Sequence, residues 1–192
     1  MPIYHQNPEN DSDDLVERRP YQSFGHSLMS HSPVTLYCGL AVLEDDLRQL
    51  AEEHWVAVRV SAAQWAETDE FDDVFRALPL PDYWADSDHL RHPYKLREAL
   101  DELLVRDAGG VALVLTDFDD FALSGSRKVR ADARYLLDLL VESARRLQLI
   151  GKSLLIMAQS KDPDIRLEGL GGVEGWWNPR EFVTADRGNV QP

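Results

Sequence analysis

Val111-Ala112-Leu113-Val114-Leu115 is an unbroken apolar run set between Gly109-Gly110 and Thr116-Asp117. It is too short for an ordinary helix, and turn formers precede it. A run of this kind fits a strand covered on both faces. Ser153-Leu154-Leu155-Ile156-Met157 reads the same way. Strands buried on both faces belong to parallel sheets between helical layers, so the chain between these two must hold a crossover helix. The periodicity predicts one from about Ala131 to Leu149, after a loop at Leu123-Ser124-Gly125-Ser126. Its core stripe is Leu136, Leu139, Leu140, Ala144 and Leu147, and Gly151 follows its end.

Upstream, the alternation of strand and helix continues. Val34 to Val42 reads as a strand, and Glu44 to Glu53 as a short helix with Leu43, Leu47, Leu50 and Ala51 on one side. Trp55 to Val60 is a second strand. Thr68 or Asp69 can cap a helix whose apolar stripe is Phe71, Val74, Phe75 and Leu78, and Pro79 and Pro81 end it. Pro93 suits the first turn of another helix, which Asp107-Ala108-Gly109-Gly110 terminates. The fold class expected is α/β: a small parallel sheet of three core strands plus an extra N-terminal strand, flanked by helices. Residues 1–32 read as a polar arm and residues 33–159 as the α/β domain. Residues 160–192 read as a Gly- and Trp-containing extension that adds a turn or an edge hairpin.

The chain has 192 residues, 44% of them hydrophobic, which suits a single domain. At that size folding buries roughly 70% of the unfolded surface, so no covalent staple is needed. Cys38 is the one cysteine and lies in an apolar run, which predicts a reduced, buried thiol. No apolar stretch is long enough to span a membrane, and the N-terminus lacks the pattern of a signal peptide. A cytoplasmic monomer is the expectation. A net charge of −14 argues against direct binding of nucleic acid, whose phosphates select Lys and Arg.

The residues with most to say about function are Leu80-Pro81-Asp82-Tyr83-Trp84 and the helix that begins at Pro93. On that helix Leu96, Ala99, Leu100, Leu103 and Leu104 are expected to face the core. Tyr94, Glu98, Asp101 and Glu102 fall on the other side, flanked by Lys95 and Arg97. A carboxylate face beside an aromatic turn suits a surface that fills a cationic cleft, since Tyr and Trp are enriched at interface hot spots. Taken alone, such a face also fits ordinary solvation.

These residues resemble the barstar family, intracellular inhibitors of barnase-type ribonucleases. Pro81-Asp82-Tyr83-Trp84 is similar to the family's Pro-Glu/Asp-Tyr-Tyr/Phe turn, and Leu96 to Leu103 to the helix that the family inserts into the nuclease cleft. Asp101 matches the family's principal acidic anchor, with Leu100 where many members have Trp. Val114 to Phe121 resembles the strand and turn after that helix, and Leu140 to Ala144 the long helix with a contact glutamate, here Glu142. The resemblance covers residues 55–158. It implies a partner, a basic secreted or effector ribonuclease, and it implies no catalytic residue, metal or cofactor. The chain departs from the family at Ala85, where a Gly is usual, and at Lys95 and Arg97, where Asn and Asp are usual. An insertion brings Asp86, Asp88, His89 and His92, and Asp86 and Asp88 are candidates to replace the missing carboxylate.

Two other functions remain open. Asp117-Phe118-Asp119-Asp120 after a buried strand has the Asp-x-Asp spacing of Mg²⁺-dependent phosphatases, although the Gly and Thr that usually follow are absent. An acidic interaction module for a basic partner other than a nuclease would use the same helix face. No Gly-rich phosphate loop, Gly-x-Ser-x-Gly elbow or Cys-x-x-Cys pair occurs.

Overall fold

A computed structural model describes residues 23–66, 72–84, 93–104, 109–123, 127–165, 167 and 175–182. They form an α/β fold around five parallel strands: β1 (Val34–Tyr37), β2 (Val56–Ser61), β3 (Val111–Thr116), β4 (Leu154–Gln159) and β5 (Trp176–Trp177). The helices are α1 (Phe24–Met29), α2 (Leu40–Glu52), α3 (Asp72–Ala77), α4 (Pro93–Asp101), α5 (Phe118–Ala122) and α6 (Arg127–Leu149). The sheet order is β2-β3-β4-β1-β5.

This order explains how the helices divide between the two faces. The chain leaves β1, crosses two strand positions and returns as β2 at the far edge. It then fills the gap with β3 and β4, travelling the opposite way. Crossovers between parallel strands are right-handed, so reversing the direction of travel moves the connecting helices to the opposite face. One core cluster accordingly joins α1 and α2 to Ala112, Val114, Leu155 and Met157. The other joins α3 to α6 with Leu113, Leu115, Leu154 and Ile156. Successive residues of β3 and β4 serve the two clusters alternately, and all five positions of the Val111–Leu115 run are buried.

Several expectations change. The first strand stops at Tyr37, and Leu40 to Val42 already belong to α2, because the apolar run continues through the junction at Cys38-Gly39. The extra N-terminal strand lies inside the sheet: β1 pairs with β4 on one side and β5 on the other. Within the N-terminal arm, α1 lays Gly25 against the Trp55 indole and buries Met29. The backbone N–H groups of Phe24 and Gly25 donate to the Glu53 carboxylate at 2.5 and 3.0 Å, capping the start of α1. The tail contributes a parallel fifth strand and a 3-10 turn at Pro179–Phe182, where a turn or hairpin was expected. Ala51 is exposed, Cys38 is half-buried, and α5 was not anticipated as an element. Among the described residues no helix is long and apolar enough to cross a membrane.

Candidate functional site

α4 and α6 run side by side on one face of the sheet, both antiparallel to the strands that follow them. Leu96, Ala99, Leu100 and Leu103 are buried beneath α4, while Leu104 is partly exposed because the helix ends at Asp101. Three ties hold this end. The Trp84 indole N–H donates to the Glu102 carboxylate at 3.3 Å, and Leu104 N–H donates to the Pro79 carbonyl at 2.8 Å. The Lys152 ammonium donates to the Leu103 carbonyl at 2.7 Å, a cation at a helix C-terminus.

The aromatic turn therefore sits beside the C-terminal end of α4. Tyr83 is 62% exposed, whereas Trp84 is only 8% exposed and belongs to the core cluster. Trp84 was expected to offer its ring to a partner. The Leu80–Trp84 turn folds back against the sheet instead, and burial leaves Trp84 the task of anchoring the turn that presents Tyr83. Glu98 and Glu102 are exposed, and Asp101 is half-buried. Each of Glu98, Asp101 and Glu142 is paired. Lys95 reaches Glu98 at 2.6 Å, Arg97 reaches Glu142 at 2.9 Å, and Arg146 pairs with Asp101. Tyr94 lies in the first turn of α4, but its side chain lies outside the described residues, as do Asp86 and Asp88 entirely.

The carboxyl ends of the strands are a second candidate region, since open α/β sheets bind ligands where neighbouring strands send their connections to opposite faces. Here that point lies between β1 and β4, and the chain's own side chains occupy it. The N–H groups of Cys38 and Gly39, at the start of α2, both donate to Oε1 of Glu181 at 3.0 Å. Asp46, fully buried on α2, accepts from the Tyr37 hydroxyl at 2.9 Å, from the Asn178 amide and from Arg180. Arg180 also pairs with Asp45. Burial pushes the Asp46 carboxyl above the usual range, and the three donors pull it back; burial and the Asp46 charge raise the Tyr37 hydroxyl. The hydrogen bond from Arg180 lowers Asp45.

Asp117 has φ 52°, a left-handed conformation rare outside Gly, and its N–H donates to Gln159 Oε1 at 3.0 Å. Its carboxylate is 2.7 Å from the Lys161 ammonium, which also lies 3.6 Å from Asp120. Asp119 accepts the backbone N–H of Lys161 at 3.1 Å. The hydrogen bond to Asp117 and its charge raise Lys161. The two aspartates of the phosphatase alternative are thus engaged by different nitrogens of one lysine, and among the described residues no three His, Cys, Asp or Glu side chains converge as a metal site.

Sequence reasoning missed the whole Asp46–Asn178–Arg180–Glu181 group. One signal was available: Asp46 interrupts the apolar stripe Val42, Leu43, Leu47 and Leu50 of α2. A charge on such a stripe announces a buried partner, though not which one.

No family model matches the chain, and no curated protein does. Among solved structures the chain is similar to the Walker-type ATPase PABY2304 of Pyrococcus abyssi, with 13% identity and a TM-score of 0.42. The match covers 82% of this chain and 48% of the other, so the chain spans about half the length of that structure.

Proposed function

We propose that this chain is a stoichiometric inhibitor of a basic ribonuclease of the barnase class, working in the cytoplasm of the cell that makes it, without catalysis or cofactor. The observation that carries the reading is the fusion of the Pro81–Trp84 turn and α4 into one preorganised unit through Trp84 and Glu102. That unit carries the exposed Tyr83 and the half-buried Asp101, with the exposed Glu98 on the same helix and the exposed Glu142 on the neighbouring α6. Preorganisation lowers the ordering cost of association, one of the reasons interfaces of equal area differ in affinity.

The ion pairs on this face do not oppose the reading. The side chains of Arg146 and Asp101 are 37% and 39% exposed, and such pairs contribute only about 0–1 kcal/mol. A nuclease cation that takes over Asp101 in a desolvated interface must return more than the internal pair loses, and close interfacial charge pairs reach coupling energies of about 1.5–7 kcal/mol.

The test is titration of the protein into barnase-class ribonucleases, following RNA cleavage at low and physiological salt. Inhibition should reach completion at one-to-one stoichiometry. Asp101→Ala should weaken binding by about 2–5 kcal/mol, the range for truncating one member of a buried interfacial charge pair. A loss below about 1 kcal/mol would remove Asp101 as the anchor. Full nuclease activity at micromolar inhibitor would sink the inhibitor reading and leave a module for some other basic partner.

A further inference from the structure

Arg97 and Asp101 lie one helical turn apart on α4, and Glu142 and Arg146 lie one turn apart on α6. The two rungs between the helices have opposite polarity: Arg97 on α4 faces Glu142, and Asp101 on α4 faces Arg146. At these four positions the sign therefore alternates along each helix and across the seam. The four charges form a patch about one helical turn on a side, with no net charge.

Such a patch discriminates in a way that a uniformly acidic face cannot. A surface carrying only cations gains at Asp101 and Glu142 and loses at Arg97 and Arg146, so these four positions give it no net attraction. A surface with the complementary alternation gains at all four. We propose that the α4–α6 face recognises a partner of mixed polarity, one that sets a carboxylate against Arg97 and cations against Asp101 and Glu142. This deepens the inhibitor reading and rests on it. Metal-free RNA cleavage needs a general base beside the groups that hold the phosphate, and a carboxylate is one residue type that fills that role. A nuclease cleft of that composition has the polarity this patch requires.

The fold has little need of the ladder. Its four side chains are between 37% and 53% exposed, and exposed pairs add little to stability. The seam below is closed by apolar residues: Leu96, Ala99 and Leu100 on α4, and Leu140 and Ala144 on α6, share one core cluster. The alternation is thus free to serve recognition. It also changes kinetics, because a patch without net charge has a short-ranged field. Specificity, more than long-range steering, is what it supplies.

The test exchanges the rung. Arg97→Glu combined with Glu142→Arg keeps an ion pair and the fold while reversing the local polarity; thermal melting checks the fold. Calorimetry then measures binding to a barnase-class nuclease and to its variant with the general-base carboxylate changed to the amide. The exchange should weaken binding to the parent nuclease by about thirtyfold or more. The amide variant should bind the unaltered inhibitor more weakly, and should bind Arg97→Ala as the parent nuclease does. If the nuclease binds the unaltered inhibitor but neither change matters, mixed-polarity recognition is overturned and inhibition stands. If no nuclease binds the unaltered inhibitor, both are overturned.

Discussion

Asp46 is the residue on which most of the described tail depends. It is fully buried, and the donors it receives come from Tyr37 on β1 and from Asn178 and Arg180 beyond β5. Replacing it with Ala leaves a buried hydroxyl and a buried amide without an acceptor, at about 1–3 kcal/mol each before relaxation. Asp46→Ala should therefore lower unfolding free energy by about 2–4 kcal/mol, read from urea denaturation. The neighbouring carboxylates answer acid in opposite senses. Asp45 is held below its unfolded value by Arg180, so what it contributes is present above about pH 4 and is lost as pH falls through its lower folded value. Asp46 is raised by burial, so proton uptake there favours the folded state and cannot drive acid loosening. Acid titration followed by fluorescence of the partly exposed Trp176-Trp177 edge should show a shift below about pH 4 that Asp45→Asn removes. Persistence of that shift in Asp45→Asn would assign it elsewhere.

At the scale of elements, the entry to β3 depends on the absence of a side chain. A Cβ on Gly110 would stand 2.6 Å from the Trp55 ring and 2.8 Å from Ser153 Cβ, and Trp55 is itself buried under α1 and α2. Neither neighbour can swing away at the end of a flexible chain. Gly110→Ala should cost about 1–3 kcal/mol, the usual range for overpacking, and should speed amide exchange in α1 first. Helix faces were largely legible in the sequence at this scale. Leu136, Leu139, Leu140, Ala144 and Leu147 are all buried as their spacing implied, because a 3.6-residue period maps directly onto one side of a helix. Boundaries were less legible. α6 begins at Arg127, four residues before the apolar stripe suggests, since a period marks the interior of a helix better than its ends. Trp84 was assigned to the surface for its residue type, and only packing puts it inside.

For the whole molecule, the C-terminal segment completes the sheet. Residues 175–182 supply β5, the Glu181 carboxylate at the start of α2, and two of the three partners of Asp46. A chain ending before residue 175 should unfold at markedly lower urea than the full chain, and α2 should lose amide protection at its first turn. Unchanged stability of that truncated chain would show the segment to be dispensable.

What the sequence by itself determined is local in origin: two-face burial of β3 and β4, the apolar sides of α2, α4 and α6, and hence a parallel α/β fold with crossover helices. These follow from composition and period within windows of ten or twenty residues. The tertiary structure alone decided that β1 is interior and that the tail forms the edge. It also decided that Glu181 closes α2 across 143 residues, and that the charges of α4 alternate against those of α6. The physical reason is that period reports which side of an element is dry, whereas a charge carries no mark of its partner. Pairing between distant charges is settled only when strand order and handed crossovers have brought their elements together.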